Sequence, residues 1–197
     1  MRKIREIFRW LGVILLSPIH LPHILFYWSL GGKNCIDKDL RRYKQHFHYE
    51  KCPNELYLLY LLTNDRYFRQ LFYHRIGPMA STLISWYRPG DMYFQISKGM
   101  RLGGGAIFYH PYATVLNAEC IGDNFSCIQC TTLGYGKNGR PVIGNNVALG
   151  ASVTIIGHVR IGDNVTVGAG SVVVKDIPDN CIVAGNPAKV IRYLSQE

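Results

Sequence analysis

The chain has 197 residues, 48% of them hydrophobic, enough for a buried core but for hardly more than two domains. Its formal net charge of +9 sits in the front half: residues 1–101 carry 16 Lys and Arg against 7 Asp and Glu, whereas residues 102–197 carry 6 against 6. A basic front half can meet nucleic acid, anionic lipid or an anionic substrate; nucleic acid is set aside, because the sequence holds no zinc spacing, no RNA-binding signature and no long basic helix.

Residues 1–92 read as an α-helical N-terminal region, with helices expected at Arg2–Leu16, Lys38–Phe47, Asn54–Leu62 and Asp65–Trp86. Asn64-Asp65 supplies a start for the last of these, and Arg88-Pro89-Gly90 an end. At the front, Arg2, Lys3, Arg5 and Arg9 accompany an apolar stretch from Trp10 to Leu30. Pro18, His20, Pro22 and His23 interrupt it, which argues against a membrane span. A signal peptide fits poorly, since no small-residue cleavage site follows. Two readings stay open. The stretch is a helix pair for oligomerisation, or it attaches to an anionic membrane surface with cations at the headgroups and Trp10, Phe26, Tyr27 and Trp28 at the boundary. Tyr57, Leu58, Tyr60, Leu61 and Leu62 supply an apolar set that either pairs trimers or packs on the open end of the repeat coil.

Residues 93–197 repeat. From Ile143 an aliphatic residue recurs every six positions, at Leu149, Ile155, Ile161, Val167 and Val173, and Val147, Val153, Val159 and Val165 follow four residues after the first four leaders. A helix spaces its apolar residues near 3.6 and a strand near 2, whereas six recurs when short strands turn corners and stack as a parallel β-helix. Ile96, Leu102 and Phe108 keep the same spacing, and after an irregular step Ile121 and Cys127 resume it. Between Cys127 and Ile143 the run Leu133–Val142 holds three glycines and a proline, the composition of a loop leaving the coil, and such loops are where chemistry is usually placed.

Six cysteines are scattered over both halves and do not form a disulfide framework. Cys127 and Cys130 make a CxxC, but Cys127 stands at an aliphatic leader position and no second CxxC or histidine pair completes a zinc site, so packing is expected and no metal. The Asn124-Phe-Ser and Asn164-Val-Thr sequons lie inside repeats and are read as chance. Of seven histidines only His110 and His158 lie in the repeats. His158 falls in a regular repeat and reads as an exposed corner. His110 sits where the register first breaks; an imidazole titrates near neutrality and can take a proton and return it, as a hydroxyl nucleophile requires.

Phe94-Gln95-Ile96, Tyr109-His110, Thr131-Thr132-Leu133-Gly134, Val172–Pro178 and Val183-Ala184-Gly185-Asn186-Pro187-Ala188-Lys189 together resemble the serine acetyltransferase branch of the hexapeptide-repeat acyltransferases, over residues 94–192. The resemblance implies a left-handed β-helix with about eighteen residues per turn, acetyl-CoA as co-substrate, and a homotrimer, or a dimer of trimers, with the thioester in a groove between neighbouring subunits. It further implies His110 as general base and Gly134 as the backbone N–H facing the oxyanion. Ala151, Gly168 and Ala169 would be the small positions beside the pantetheine arm, with Lys189, assisted by Arg192, the cations near the phosphates. Transfer would be direct, without an acyl-enzyme.

The sequence departs from that branch where serine enzymes carry two aspartates and a loop histidine: the matching positions are Gln95, Tyr109 and Arg140. Losing two acidic groups removes partners for the ammonium of a free amino acid, so the acceptor is expected to be a sugar hydroxyl of a capsule or exopolysaccharide precursor, with serine of the cysteine pathway as the alternative. Glu119 or a backbone carbonyl is left to orient His110. A zinc carbonic anhydrase lacks its third histidine, and a non-catalytic scaffold leaves the coenzyme A tail motif unexplained. The expected location is cytoplasmic, peripheral at the inner face of the membrane.

Overall fold

The computed structural model describes residues 2–29 and 33–194, and the chain divides into two compact units, Met1–Asp91 and Met92–Glu197. Leu30, the end of the apolar stretch, lies outside the described residues.

The first unit is helical: α1 (Arg2–Leu16), a 3-10 turn (Ser17–His20), α2 (Leu21–Ser29), α3 (Lys33–Phe47), α4 (Asn54–Asn64), α5 (Arg66–Ile76) and α6 (Pro78–Ser85). Asp65 caps α5, accepting from the Tyr67 and Phe68 N–H groups at 2.9 and 3.0 Å, as an N-cap carboxylate should. The single helix expected over Asp65–Trp86 is two helices, because Gly77 turns at φ +84° and Pro78 cannot donate to a continuing ladder. Pro18 and Pro22 do not break the front stretch. Pro18 opens the 3-10 turn and Pro22 falls in the first turn of α2, where a missing N–H costs nothing. Ile4–Ser29 is consequently long and apolar enough to cross a membrane by length and composition.

Tyr57, Leu58, Tyr60, Leu61 and Leu62 are buried where α4 meets α1, α3 and α5; they are core and offer no surface for pairing oligomers. Arg75 and Asp39 form a buried two-pronged ion pair, with Nε–Oδ2 2.9 Å and Nη2–Oδ1 3.1 Å. His20 and His23 are also buried, their rings 4.9 Å apart. Burial, then the nearby Arg88 and Arg69, push His20 down to about 4. Burial, then His20 and the same two arginines, push His23 down to about 3.

The second unit is a left-handed parallel β-helix of about five coils. The first coil carries β1 (Phe94–Ile96), β2 (Arg101–Leu102) and β3 (Ile107–Tyr109); the second β4 (Thr114–Leu116), β5 (Cys120–Ile121) and β6 (Ser126–Ile128). The third carries β7 (Thr132–Gly134), β8 (Val142–Ile143) and β9 (Ala148–Leu149); the fourth β10 (Thr154–Ile156), β11 (Arg160–Ile161) and β12 (Thr166–Val167). The last has β13 (Val172–Val173) and β14 (Cys181–Gly185), and β15 (Ala188–Tyr193) folds back antiparallel on β14. Face 1 stacks β1-β4-β7-β10-β13, face 2 stacks β2-β5-β8-β11, and face 3 stacks β3-β6-β9-β12-β14-β15.

All the repeat leaders are buried, with Cys127 among them, so each short strand contributes one inward side chain and the coil's interior is a column of aliphatic residues. Regular partners such as Leu149 and Val167, or Ile155 and Val173, lie eighteen residues apart. Across the glycine-rich segment Cys127 pairs with Leu149, twenty-two residues on. The added residues form a tight excursion closed by Gly136 and Gly139, each donating its N–H to the other's carbonyl at 2.8 and 3.1 Å.

The edge between faces 2 and 3 shows why four of the coils carry an asparagine at the same corner position. Asn124, Asn146, Asn164 and Asn180 all turn the corner at φ +55° to +59°, a conformation asparagine tolerates better than most residues. Their side-chain amides link coil to coil at 3.0, 2.8 and 2.8 Å. Asn124 and Asn164, the two sequon residues, are thereby committed to the ladder.

Candidate active site

Face 1 has two edges, and the sequence-predicted residues divide between them. At the edge between faces 3 and 1, the leaders Phe108 and Leu116 are eight residues apart instead of six, and the two extra residues widen the corner that holds His110. His110 adopts φ +49° and Ala113 φ +52°, and the His110 carbonyl accepts from Tyr112 N–H at 2.6 Å. The His110 side chain is exposed, while Tyr109, the last residue of β3, is half-buried. Gln95 projects outward from β1 beside Val115, so it shares face 1 with the strand that His110 precedes.

The ladder of face 3 sets what lies along this edge. Tyr109 pairs with Ile128, Cys127 with Leu149, Leu149 with Val167 and Val167 with Val183. The residue two beyond each leader therefore stacks in one column: His110, Gln129, Ala151, Ala169 and Gly185. Four steps at about 4.8 Å give the column a length of roughly 19 Å. Ala151 is half-buried and Ala169 exposed, and the side-chain-poor stretch between Gln129 and the tail leaves a smooth wall. Gly168 owes its identity to the coil: a Cβ there would stand 2.9 Å from Ala184 Cβ.

The antiparallel tail closes the column. β15 runs back along β14 after the cis Asn186–Pro187 bond, pairing Lys189 with Ala184 and Arg192 with Ile182. Both cations are exposed, and Lys189 stands at the His110 edge, beside the residue that follows the last leader. One edge of one chain thus carries an exposed imidazole at one end and a cation at the other.

The opposite edge, between faces 1 and 2, carries Gly134, Arg140 and Glu119. Glu119 N–H donates to the Pro141 carbonyl at 2.9 Å, which sets Glu119 against the excursion that contains Arg140. A side chain at Gly139 would sit 3.6 Å from His158 Nδ1, so His158, an exposed corner residue as read from the sequence, flanks the same excursion. β4 lies between His110 and Glu119, a separation of roughly 10 Å for its three residues; within one chain Glu119 does not orient His110.

Gly134 is not free to face an oxyanion. It pairs with Ile156, and its carbonyl accepts from Gly157 N–H at 3.1 Å. In a parallel ladder the same residue's N–H then points to the carbonyl one position before its partner, here Ile155. That amide runs along the sheet and away from the groove.

Cys127 is buried and burial pushes its thiol far up, whereas Cys130 is exposed at φ +59°. The two sulfurs of the CxxC therefore lie on opposite sides of the coil wall. Among the described residues no group of three His, Cys, Asp or Glu side chains is placed to hold a metal ion. Nothing local marks Gln129 in the sequence, because the irregular coils on either side of Cys127 hide the register; counting two residues past each leader finds it.

The family described as bacterial transferase hexapeptide (six repeats) matches residues 140–175. The chain is 41% identical over 102 residues to the serine acetyltransferase of Synechococcus elongatus, covering 49% of this chain and 42% of that protein. It is 42% identical over 101 residues to WcaB of Escherichia coli strain K12, a protein assigned as a colanic acid biosynthesis acetyltransferase, covering 49% of this chain and 62% of that one. It thus spans less than two thirds of either curated relative. Among solved structures, soybean serine acetyltransferase without ligand superposes with a TM-score of 0.64 at 30% identity, over 90% of this chain and 75% of that one.

Proposed function

We infer the activity from membership: the chain belongs to the hexapeptide-repeat acyltransferases, in their serine acetyltransferase-like branch, and it transfers an acetyl group from acetyl-CoA to a hydroxyl acceptor. The observation that carries this reading is the single edge column, with His110 at one end, small residues along it and Lys189 beside the other end. That layout suits a long, thin co-substrate: thioester at the base, pantetheine against Ala151 and Ala169, phosphates at Lys189 with Arg192 alongside.

His110 takes the proton of the acceptor hydroxyl as its oxygen attacks the thioester carbonyl. The tetrahedral adduct collapses by breaking the carbon–sulfur bond, and the proton held on the imidazolium goes to the departing thiolate, so the base is restored. The negative oxygen of the adduct needs a donor outside the ladder, and Gly134 does not supply it. Because His110 and the Arg140–Glu119 group stand at opposite edges of face 1, the site is completed by a neighbouring copy whose Arg140 edge meets this chain's His110 edge. A closed threefold ring supplies three such sites.

The acceptor is a sugar hydroxyl of a surface-polysaccharide precursor. Tyr109 and Gln95 stand where the serine branch carries aspartates, so the His110 edge itself offers no carboxylate to an amino acid's ammonium, and its neutral hydrogen-bonding groups suit a sugar. Serine is the second reading, favoured by the serine acetyltransferases among the relatives. Thiol release from acetyl-CoA, followed with serine in one series and sugars or lipid-linked sugars in another, separates the two. Release with serine alone would overturn the sugar assignment; absence of release with every hydroxyl acceptor would overturn acetyl transfer.

A further inference from the structure

The helical run Ile4–Ser29 is inside out. Glu6, Arg9, His20, His23 and Tyr27 of this run make contacts with or are buried against the rest of the helical unit, while Arg5 and Ser29 are exposed. Glu6 accepts from the hydroxyls of Tyr49 and Tyr60, Arg9 reaches the Tyr60 hydroxyl at 3.3 Å and the Glu6 carboxylate at 3.6 Å, and His23 Nε2 lies 3.1 Å from the Tyr73 hydroxyl. Trp10 packs on Tyr60 at 4.9 Å, and His20 and Tyr27 are buried. The outward side of α1 is apolar instead: Ile4, Ile7, Phe8, Leu11, Ile14 and Leu15 are 47–77% exposed. The same side continues on α2 with Leu21, Leu25 and Trp28 at 54–57%. A soluble helix is built the other way round, and an apolar face this long marks a surface that is covered in use.

We propose that this outward face docks on the surface of an anionic phospholipid bilayer, with the run lying in the plane of the membrane. Spanning is ruled out by the inward stripe. Crossing the bilayer would strip the run from α4 and leave Glu6, Arg9 and the histidines facing hydrocarbon. Lying flat keeps every one of those contacts and sinks only side chains that have no polar atoms to satisfy, with Trp28 at the headgroup boundary. Charge decides between lipid and a second copy of the chain. Arg2, Lys3, Arg5 and Arg9 stand against the single carboxylate of Glu6 in residues 1–29, and the whole chain is +9. Two such faces repel each other, whereas anionic headgroups attract both.

The test is sedimentation of the full-length protein with vesicles of phosphatidylglycerol and phosphatidylcholine, and with phosphatidylcholine alone. The protein is expected to pellet with the anionic vesicles and to be released as salt is raised. The pair Leu11→Glu and Leu15→Glu, on exposed positions, is expected to lower the bound fraction at least tenfold while helix content by circular dichroism and acetyl transfer to a soluble acceptor stay unchanged. Wild-type protein remaining in the supernatant, or the double variant pelleting as well as wild type, overturns the proposal. So does a vesicle-free assembly that shrinks by light scattering in the double variant while wild type ignores lipid, because a second copy would then cover the face. The proposal stands or falls apart from the acetyltransferase reading, since binding and thiol release are measured separately.

Discussion

His110→Ala is expected to lower acetyl transfer by at least about a hundredfold while leaving coenzyme A binding intact, because general-base catalysis is worth roughly 10² to 10⁴. Steady-state turnover alongside calorimetric titration with coenzyme A checks both halves. Lys189→Ala should instead raise KM for acetyl-CoA with kcat nearly unchanged; a pure fall in kcat would remove Lys189 from the phosphate contact. In the sequence His110 stands out because it falls at a break in an otherwise strict period, and the structure shows that break to be a widened corner. Gly134 carried the right motif, but whether its N–H faces a groove or a neighbouring strand depends on ladder register, which a motif does not encode. Gln129 needed that register before it could be noticed at all. Cys127 was readable, since a leader position faces inward whatever residue occupies it.

Among the elements, buried polar groups set the stability of the helical unit. Removing one partner of the Arg75–Asp39 pair leaves an uncompensated buried charge, so Asp39→Ala should destabilise the unit by about 3–5 kcal/mol, read from chemical denaturation. His20 and His23 are held neutral, pushed to about 4 and about 3 from the 6.5 of an ordinary histidine. Below about pH 6.5 the unfolded chain gains protons at these two positions that the folded unit does not. Stability is therefore expected to be full above that pH and to fall steadily toward pH 4. A His20→Gln, His23→Gln variant should show a flatter melting temperature between pH 4 and 6.5, whatever its absolute stability. Neither feature could be read from the sequence, because both depend on which helices meet. The helices themselves were mostly legible, save where Gly77-Pro78 hid a turn inside a periodic pattern and where two prolines fell at helix starts that tolerate them.

For the whole molecule, the prediction concerns sharing. If each site takes His110 from one chain and Arg140 from the next, co-expressed His110→Ala and Arg140→Ala chains should recover activity that neither has alone. Random mixing in a threefold ring leaves one intact site in each mixed trimer, about a quarter of wild-type activity overall. No recovery would put both halves of the site within one chain. The period of six made the coil legible from the sequence. The division of the site between two edges was not, since it depends on how three faces close around one axis. A solenoid whose last coil is left open invites another chain to add a strand, and here β15 occupies that position on face 3 by running antiparallel along β14. The six residues that present Lys189 are thus also the ones that blunt the exposed end of that sheet. With Lys189 in the proposed phosphate contact, affinity for co-substrate and resistance to aggregation are written in the same stretch of chain, so selection on either one constrains the other.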